Sequence, residues 1–154
     1  MLQTLTRPYD HIVALISSRI PETLMLLFVR ITLAGIFWRS GRTKVEEGSW
    51  LTVSENTIYQ FGDDPFNKVP LLPSEFAAYL TAYAEHALPI LLVFGLFTRL
   101  SALALLGMTL VIQIFVFPEA WWQVHSLWIA LALILIVRGG GGLSVDALIT
   151  GRRA

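Results

Sequence analysis

Apolar residues run along this chain in four long stretches separated by short polar breaks, which is the pattern of helices that cross a bilayer. The first is predicted from about Pro21 to Lys44, with a dense apolar core from Leu24 to Trp38 that holds Arg30 as its one charge. The second runs from about Ser74, read as an N-cap after Pro73, to Phe97, and carries Glu85 and His86. The third follows the link Thr98-Arg99-Leu100 and continues from Ser101 to Phe117, with Gln113 as its only strongly polar residue. Pro118 ends it, and a fourth runs from Trp121 to Arg138 with His125 near its start. The expected fold is all-α: a four-helix transmembrane bundle forming a single membrane domain.

The flanking segments read differently. Residues 1–20 fit an amphipathic helix lying on the membrane, with Leu5, Ile12, Val13 and Ile16 on one side and no cleavable signal apparent. The connection from Arg39 to Ser74 is acidic and proline-bearing, and is expected outside the membrane on the extracytoplasmic side. Its Trp50, Ile58, Tyr59, Phe61 and Phe66 are predicted to pack on the bundle. Four consecutive glycines, Gly139 to Gly142, stop the last span. They follow no strand and precede no Gly-Lys-Ser/Thr, so they are not read as a phosphate loop. In the 139–154 tail, Leu143 to Ile149 reads as a short interfacial helix capped by Ser144.

Positive charge sets the expected orientation. Arg7, Arg19, Arg99, Arg138, Arg152 and Arg153 fall on one side, and the turn after the third span has no Lys or Arg, so both termini are expected in the cytoplasm. Arg39, Arg42 and Lys44 oppose this assignment, and with their acidic neighbours are placed at an outer mouth. Composition agrees with a lipid environment: 55% of residues are hydrophobic and 14% charged. Net charge is zero without a dense basic patch, which removes the case for nucleic acid. Without cysteine, this chain alone carries no thiol redox chemistry, disulfide, thiolate zinc site or iron–sulfur cluster.

The intramembrane polar residues share a level. At 1.5 Å per residue, Glu85, Gln113 and His125 sit roughly 18–20 Å above the expected cytoplasmic ends, and Arg30 roughly 13 Å. An Arg30–Glu85 pair is therefore predicted, since charges in hydrocarbon need partners. Pro89 leaves the Glu85 carbonyl without its helical partner, available to His125, Gln113 or a ligand. One reading of this layer of Arg30, Glu85, His86, Gln113 and His125 is interhelical glue; the other is a small binding site. His86 and His125 lack metal-binding spacing, and Met25 and Met108 read as core or lipid-facing residues. Trp38, Trp121, Trp122 and Trp128 read as interface anchors by default, with stacking on a flat ring such as a quinone as the alternative. Ser40, Ser101 and Ser144 have no evident base, so no independent enzyme is predicted.

Three motifs carry a resemblance. The first span has Arg30, Gly35, Phe37, Ser40, Gly41 and Lys44; Glu85 is followed by Gly95-Leu96-Phe97-Thr98-Arg99-Leu100-Ser101-Ala102; and Gly142-Leu143-Ser144-Val145-Asp146-Ala147-Leu148 follows the last span. In this order, between four spans, they resemble the DoxX family. The acidic, aromatic connection after Lys44 and the stretch Trp121-Trp122-Gln123-Val124-His125 depart from its pattern. The resemblance implies a small bacterial inner-membrane protein, an accessory of a membrane redox or metal and stress-response system, and some relatives resemble a subunit of thiosulfate–quinone oxidoreductases. A quinone-like ligand, a protein partner or a homo-oligomer would follow. A small oligomeric transporter and a structural scaffold are the alternatives.

Overall fold

The computed structural model describes residues 2–70 and 72–151, excepting the side chains of residues 2–8. Seven α-helices are present among these residues: α1 (Leu2–Ile16), α2 (Arg19–Arg42), α3 (Glu55–Gly62), α4 (Ser74–Phe94), α5 (Thr98–Val111), α6 (Ser126–Arg138) and α7 (Val145–Thr150). Four continuous helical stretches are long and apolar enough to cross a membrane: Arg19–Arg42, Ser74–Phe94, Thr98–Val116 and Pro118–Arg138. The last two are composite. α5 runs into a π-turn over Ile112–Val116, and α6 is preceded by a second π-turn over Trp121–His125.

The bundle closes around Leu26, Leu33, Phe37, Leu92, Leu105 and Leu135, each almost fully buried, while Phe28, Phe94, Leu103, Leu127 and Val137 face outward. A soluble domain of this size would not display so much apolar surface; lipid contact accounts for it. Burial of Ala34, Ala78, Ala82, Ala102 and Ala132 marks small side chains in the packed interior, where helices in lipid gain their attraction from van der Waals contact.

Helix ends follow local chemistry. α4 stops at Gly95, whose φ of 67° is left-handed, with the Leu96 amide bonded back to Leu91 O at 2.9 Å. α6 stops at Gly139, with φ 81°. Ser144 caps α7 through the Ala147 amide. The expected Ser74 cap is corrected: Ser74 is the first helical residue, and no side chain caps α4. The amphipathic N-terminal segment is helical, with Ile12, Val13 and Ile16 exposed; Leu5, Arg7, Arg152 and Arg153 lie outside the residues whose side chains are described.

The connection after α2 folds against the bundle. Val45 and Val53 pair in one antiparallel bridge, both buried, and Ser54 caps α3. Phe61 on α3 stacks on Phe66 at 5.0 Å between centroids, and Phe66 meets Phe117 edge-on at 5.7 Å. Trp50 meets Trp38 at 5.4 Å. Tyr59, expected to pack inward, is instead exposed, because on this short helix it lies off the Thr57–Phe61 face.

Candidate functional site

At one end of the bundle α2 presents Ser40 and, just past its last turn, Lys44 toward Glu85 on α4. Lys44 Nζ donates to Glu85 Oε2 at 2.7 Å and to Ser40 Oγ at 3.0 Å, while Ser40 Oγ donates to Glu85 Oε1 at 3.2 Å. The Glu85 side chain is 2% exposed and that of Lys44 13%. A carboxylate in this position needs its charge balanced, and both oxygens receive a donor. A further 3.4 Å contact to the Ser40 carbonyl engages the third ammonium hydrogen of Lys44. The cation is therefore saturated, whereas each carboxylate oxygen keeps acceptor capacity.

This pair heads an apolar cavity of about 480 Å³ whose walls include Leu80, Leu88, Met108, Ile112, Val116 and Trp128. Phe61, Phe66 and Phe117, the aromatic run from α3 to the end of the third span, also line it. An apolar chamber with a few convergent polar groups is the usual form of a small-molecule site.

His125 lines the same chamber. The Gln113 amide nitrogen donates to the Pro118 carbonyl at 2.8 Å, which orients its oxygen toward His125 Nδ1 at 2.7 Å. A carbonyl only accepts, so Nδ1 must carry the proton, and in the neutral ring Nε2 is left as an acceptor. Trp128 holds the ring, its centroid 5.2 Å from that of His125 and 5.4 Å from that of Phe37. Trp128 is thus a cavity residue and not an interface anchor. Gln113 and His125 each belong to a π-turn, where the backbone widens to re-aim side chains.

The predicted Arg30–Glu85 pair does not form. Arg30, fully buried, turns toward the other end of the bundle, donating from Nη1 to Leu92 O at 3.3 Å and Val93 O at 3.4 Å, and from Nη2 to Leu143 O at 2.5 Å. The cause is first the register of the two helices: Gly41 stands beside Glu85, a Cβ on it lying 3.1 Å from that of Glu85, and Arg30 is eleven residues, roughly 16 Å, away along α2. Side chains on a helix also lean toward its N-terminus. α2 and α4 are antiparallel, so Arg30 leans toward the Arg19 end and Glu85 toward the Ser74 end. Their Cα atoms already lie at different levels, and the Cα–Cβ vectors carry the side chains further apart. The single layer is thus two clusters, with Leu33, Phe37 and Leu92 lying along the helices between them. Nor does His125 reach the Glu85 carbonyl freed by Pro89; Gln113 takes its Nδ1.

The Arg30 end is a clasp that joins two motifs far apart in sequence. Asp146 accepts from the Phe97 and Thr98 amides, both at 2.8 Å, and its own amide donates to Gly95 O at 2.9 Å. These bonds hold Phe97 at φ 50°, a conformation that non-glycine residues rarely take. A Cβ on Gly95 would collide with Arg30, and one on Gly140 would lie 2.7 Å from both Thr98 Oγ1 and the Ser144 side chain. Asp146 was read only as part of a signature, and its role was invisible because it rests on a tertiary contact across 48 residues.

The remaining predicted residues lie outside the cavity. His86 packs against Gly41 and, at 5.1 Å between centroids, Trp38; its Nδ1 bonds Ala82 O at 2.7 Å. Of the outer-mouth cations only Lys44 enters the cluster. Arg42 donates to Ser49 O at 2.5 Å, ordering the turn after α2, and Arg39 is exposed. Arg19, Arg99 and Arg138 do share one end, around a second, more open cavity. Among the described residues no group of three His, Asp or Glu is placed to hold a metal ion.

Residues 25–118 match the DoxX family profile, which takes in Arg30, Ser40, Lys44 and Glu85 and the Gly95–Ala102 hinge but ends before the Ser144–Asp146 motif. An uncharacterized protein of Haemophilus influenzae is 32% identical over 139 residues, covering 80% of this chain and 82% of that protein. No solved structure matches. With four membrane-length helices, the family profile over most of the bundle and a relative matched over about four fifths of each chain, this chain is a multi-pass membrane protein that belongs to the DoxX family.

Proposed function

We propose that the protein is an inner-membrane accessory of a redox or stress-response system, with both termini cytoplasmic, and that it holds a lipid-soluble ring of the quinone and quinol class in the Glu85 cavity. One observation carries this reading: an apolar chamber of about 480 Å³ headed by a buried carboxylate. Its polar poles favour a particular redox form. Lys44 has no hydrogen to spare, while Glu85 and His125 Nε2 offer lone pairs. Acceptors recognise hydroxyls, so the reduced, dihydroxy ring is the better ligand and Trp128 its stacking partner. The protein supplies binding and orientation, and electron transfer belongs to a partner enzyme.

The transporter alternative has less support, because Leu33, Phe37 and Leu92 seal the bundle between the two polar clusters. The test is titration of the protein in lipid nanodiscs with a short-tailed benzoquinol and its quinone, read by tryptophan quenching. Quinol binding about tenfold tighter than quinone, a difference of about 1.4 kcal/mol, is expected and should vanish in Glu85→Gln and His125→Phe. Quenching that both variants retain in full would remove the cavity as the site.

A further inference from the structure

The end of the bundle opposite Glu85 has a second cavity, of about 720 Å³ and open to the outside, between the start of α2, the start of α5 and the glycine loop after α6. Three arginines and two carboxylates line it, but they are unequally engaged. Glu22 is taken by Arg138, whose Nε donates at 2.8 Å. Asp146 is taken by the Phe97 and Thr98 amides. Arg19 and Arg99 have no carboxylate within ion-pair distance among the described residues, and the lining carries one net positive charge.

A separate observation points to a ligand. Thr98 lines this cavity and is 0% exposed, yet its hydroxyl has no hydrogen-bond partner among the described residues. Gly140 passes so close that a Cβ there would lie 2.7 Å from Thr98 Oγ1, and the Arg99 guanidinium runs beside Gly139, its Nε 3.4 Å from where a Cβ would stand. The loop is bare of side chains both beside the Thr98 hydroxyl, at Gly140, and beside the Arg99 guanidinium, at Gly139. A buried hydroxyl without a partner is costly, and an oxygen acceptor beside Thr98 would satisfy it.

We propose that this cavity binds the phosphate of an anionic phospholipid, with Arg19 and Arg99 pairing its charge and the Thr98 hydroxyl donating to one oxygen. The net charge of the lining matches a singly charged phosphodiester. Leu100 and Val137, both more than half exposed at the rim, supply the apolar wall along which acyl chains run. That wall distinguishes a lipid from a free anion, and basic pockets between membrane helices are suited to such headgroups. The site is separate from the Glu85 cavity and does not depend on the ligand placed there.

The test uses the whole protein, delipidated in mild detergent and examined by native mass spectrometry with phosphatidylglycerol or phosphatidylcholine. Phosphatidylglycerol should be retained at least tenfold better, and the double variant Arg19→Gln/Arg99→Gln should lose that preference. Thr98→Val should weaken retention several-fold and Thr98→Ser restore it, with unfolding in detergent followed alongside; Glu85→Gln should leave retention unchanged. Equal retention of both lipids, or a preference surviving in the double variant, would overturn the proposal. Complete displacement by millimolar inorganic phosphate would overturn the lipid source, since it would assign the site to a soluble anion.

Discussion

The two ends of the bundle bury charge in opposite ways. At the Arg30 end the cation is stitched to backbone: three carbonyls from α4 and the segment before α7 surround it, and Gly95 leaves no room for a side chain beside the guanidinium. At the Glu85 end the anion is held by side chains, and beside it lies a chamber of about 480 Å³. Backbone carbonyls cannot be repositioned without moving a helix, so the first arrangement fixes geometry. Side-chain partners can yield to a ligand, so the second is compatible with recognition. In a membrane, where an unpaired charge is costly at either place, the kind of partner separates a structural charge from a binding one.

Variants at each end test this contrast, beginning beside the Arg30 cluster. Gly140→Val places atoms where Thr98 and Ser144 already stand, and should cost about 4 kcal/mol or more, seen as loss of folded protein in denaturation by a harsh detergent. At the Glu85 end Lys44→Met should cost about 3 kcal/mol by stranding Glu85, and Lys44→Met/Glu85→Leu should recover most of it while binding no quinol; a double variant as unstable as the single would mean that the pair itself holds the bundle. Asp146→Asn removes one charge-assisted cap from α5 and should cost about 1–2 kcal/mol without changing quinol affinity. The smallest effect is expected from Gln113→Leu, which frees the His125 ring: stability within about 1 kcal/mol of the parent, with the preference for quinol over quinone reduced.

Much of the fold was legible because hydropathy and chain breakers act locally. The four spans, the Gly139 stop, the Ser144 cap and the common end of Arg19, Arg99 and Arg138 all follow from residues near one another in sequence. Glu85 and His125 were also found, because polar residues in apolar runs stand out. Their partners were not. A ruler of 1.5 Å per residue counts from assumed helix ends, whereas the register that sets Gly41 and not Arg30 beside Glu85 is a tertiary property. Lys44 was assigned to the mouth because it follows the apolar core, yet it folds back one turn onto Ser40. The π-turns that aim Gln113 and His125 leave no signal in composition; only the neighbouring Pro118 marked a break there.

The Asp146 clasp has a consequence for assembly during synthesis. Until the stretch beyond the fourth span emerges, the hinge between the second and third spans lacks its carboxylate and the guanidinium of the first lacks one of its three oxygens. Insertion of the spans and locking of the bundle are thus distinct events, with the second waiting on a short segment that follows the last membrane-length helix.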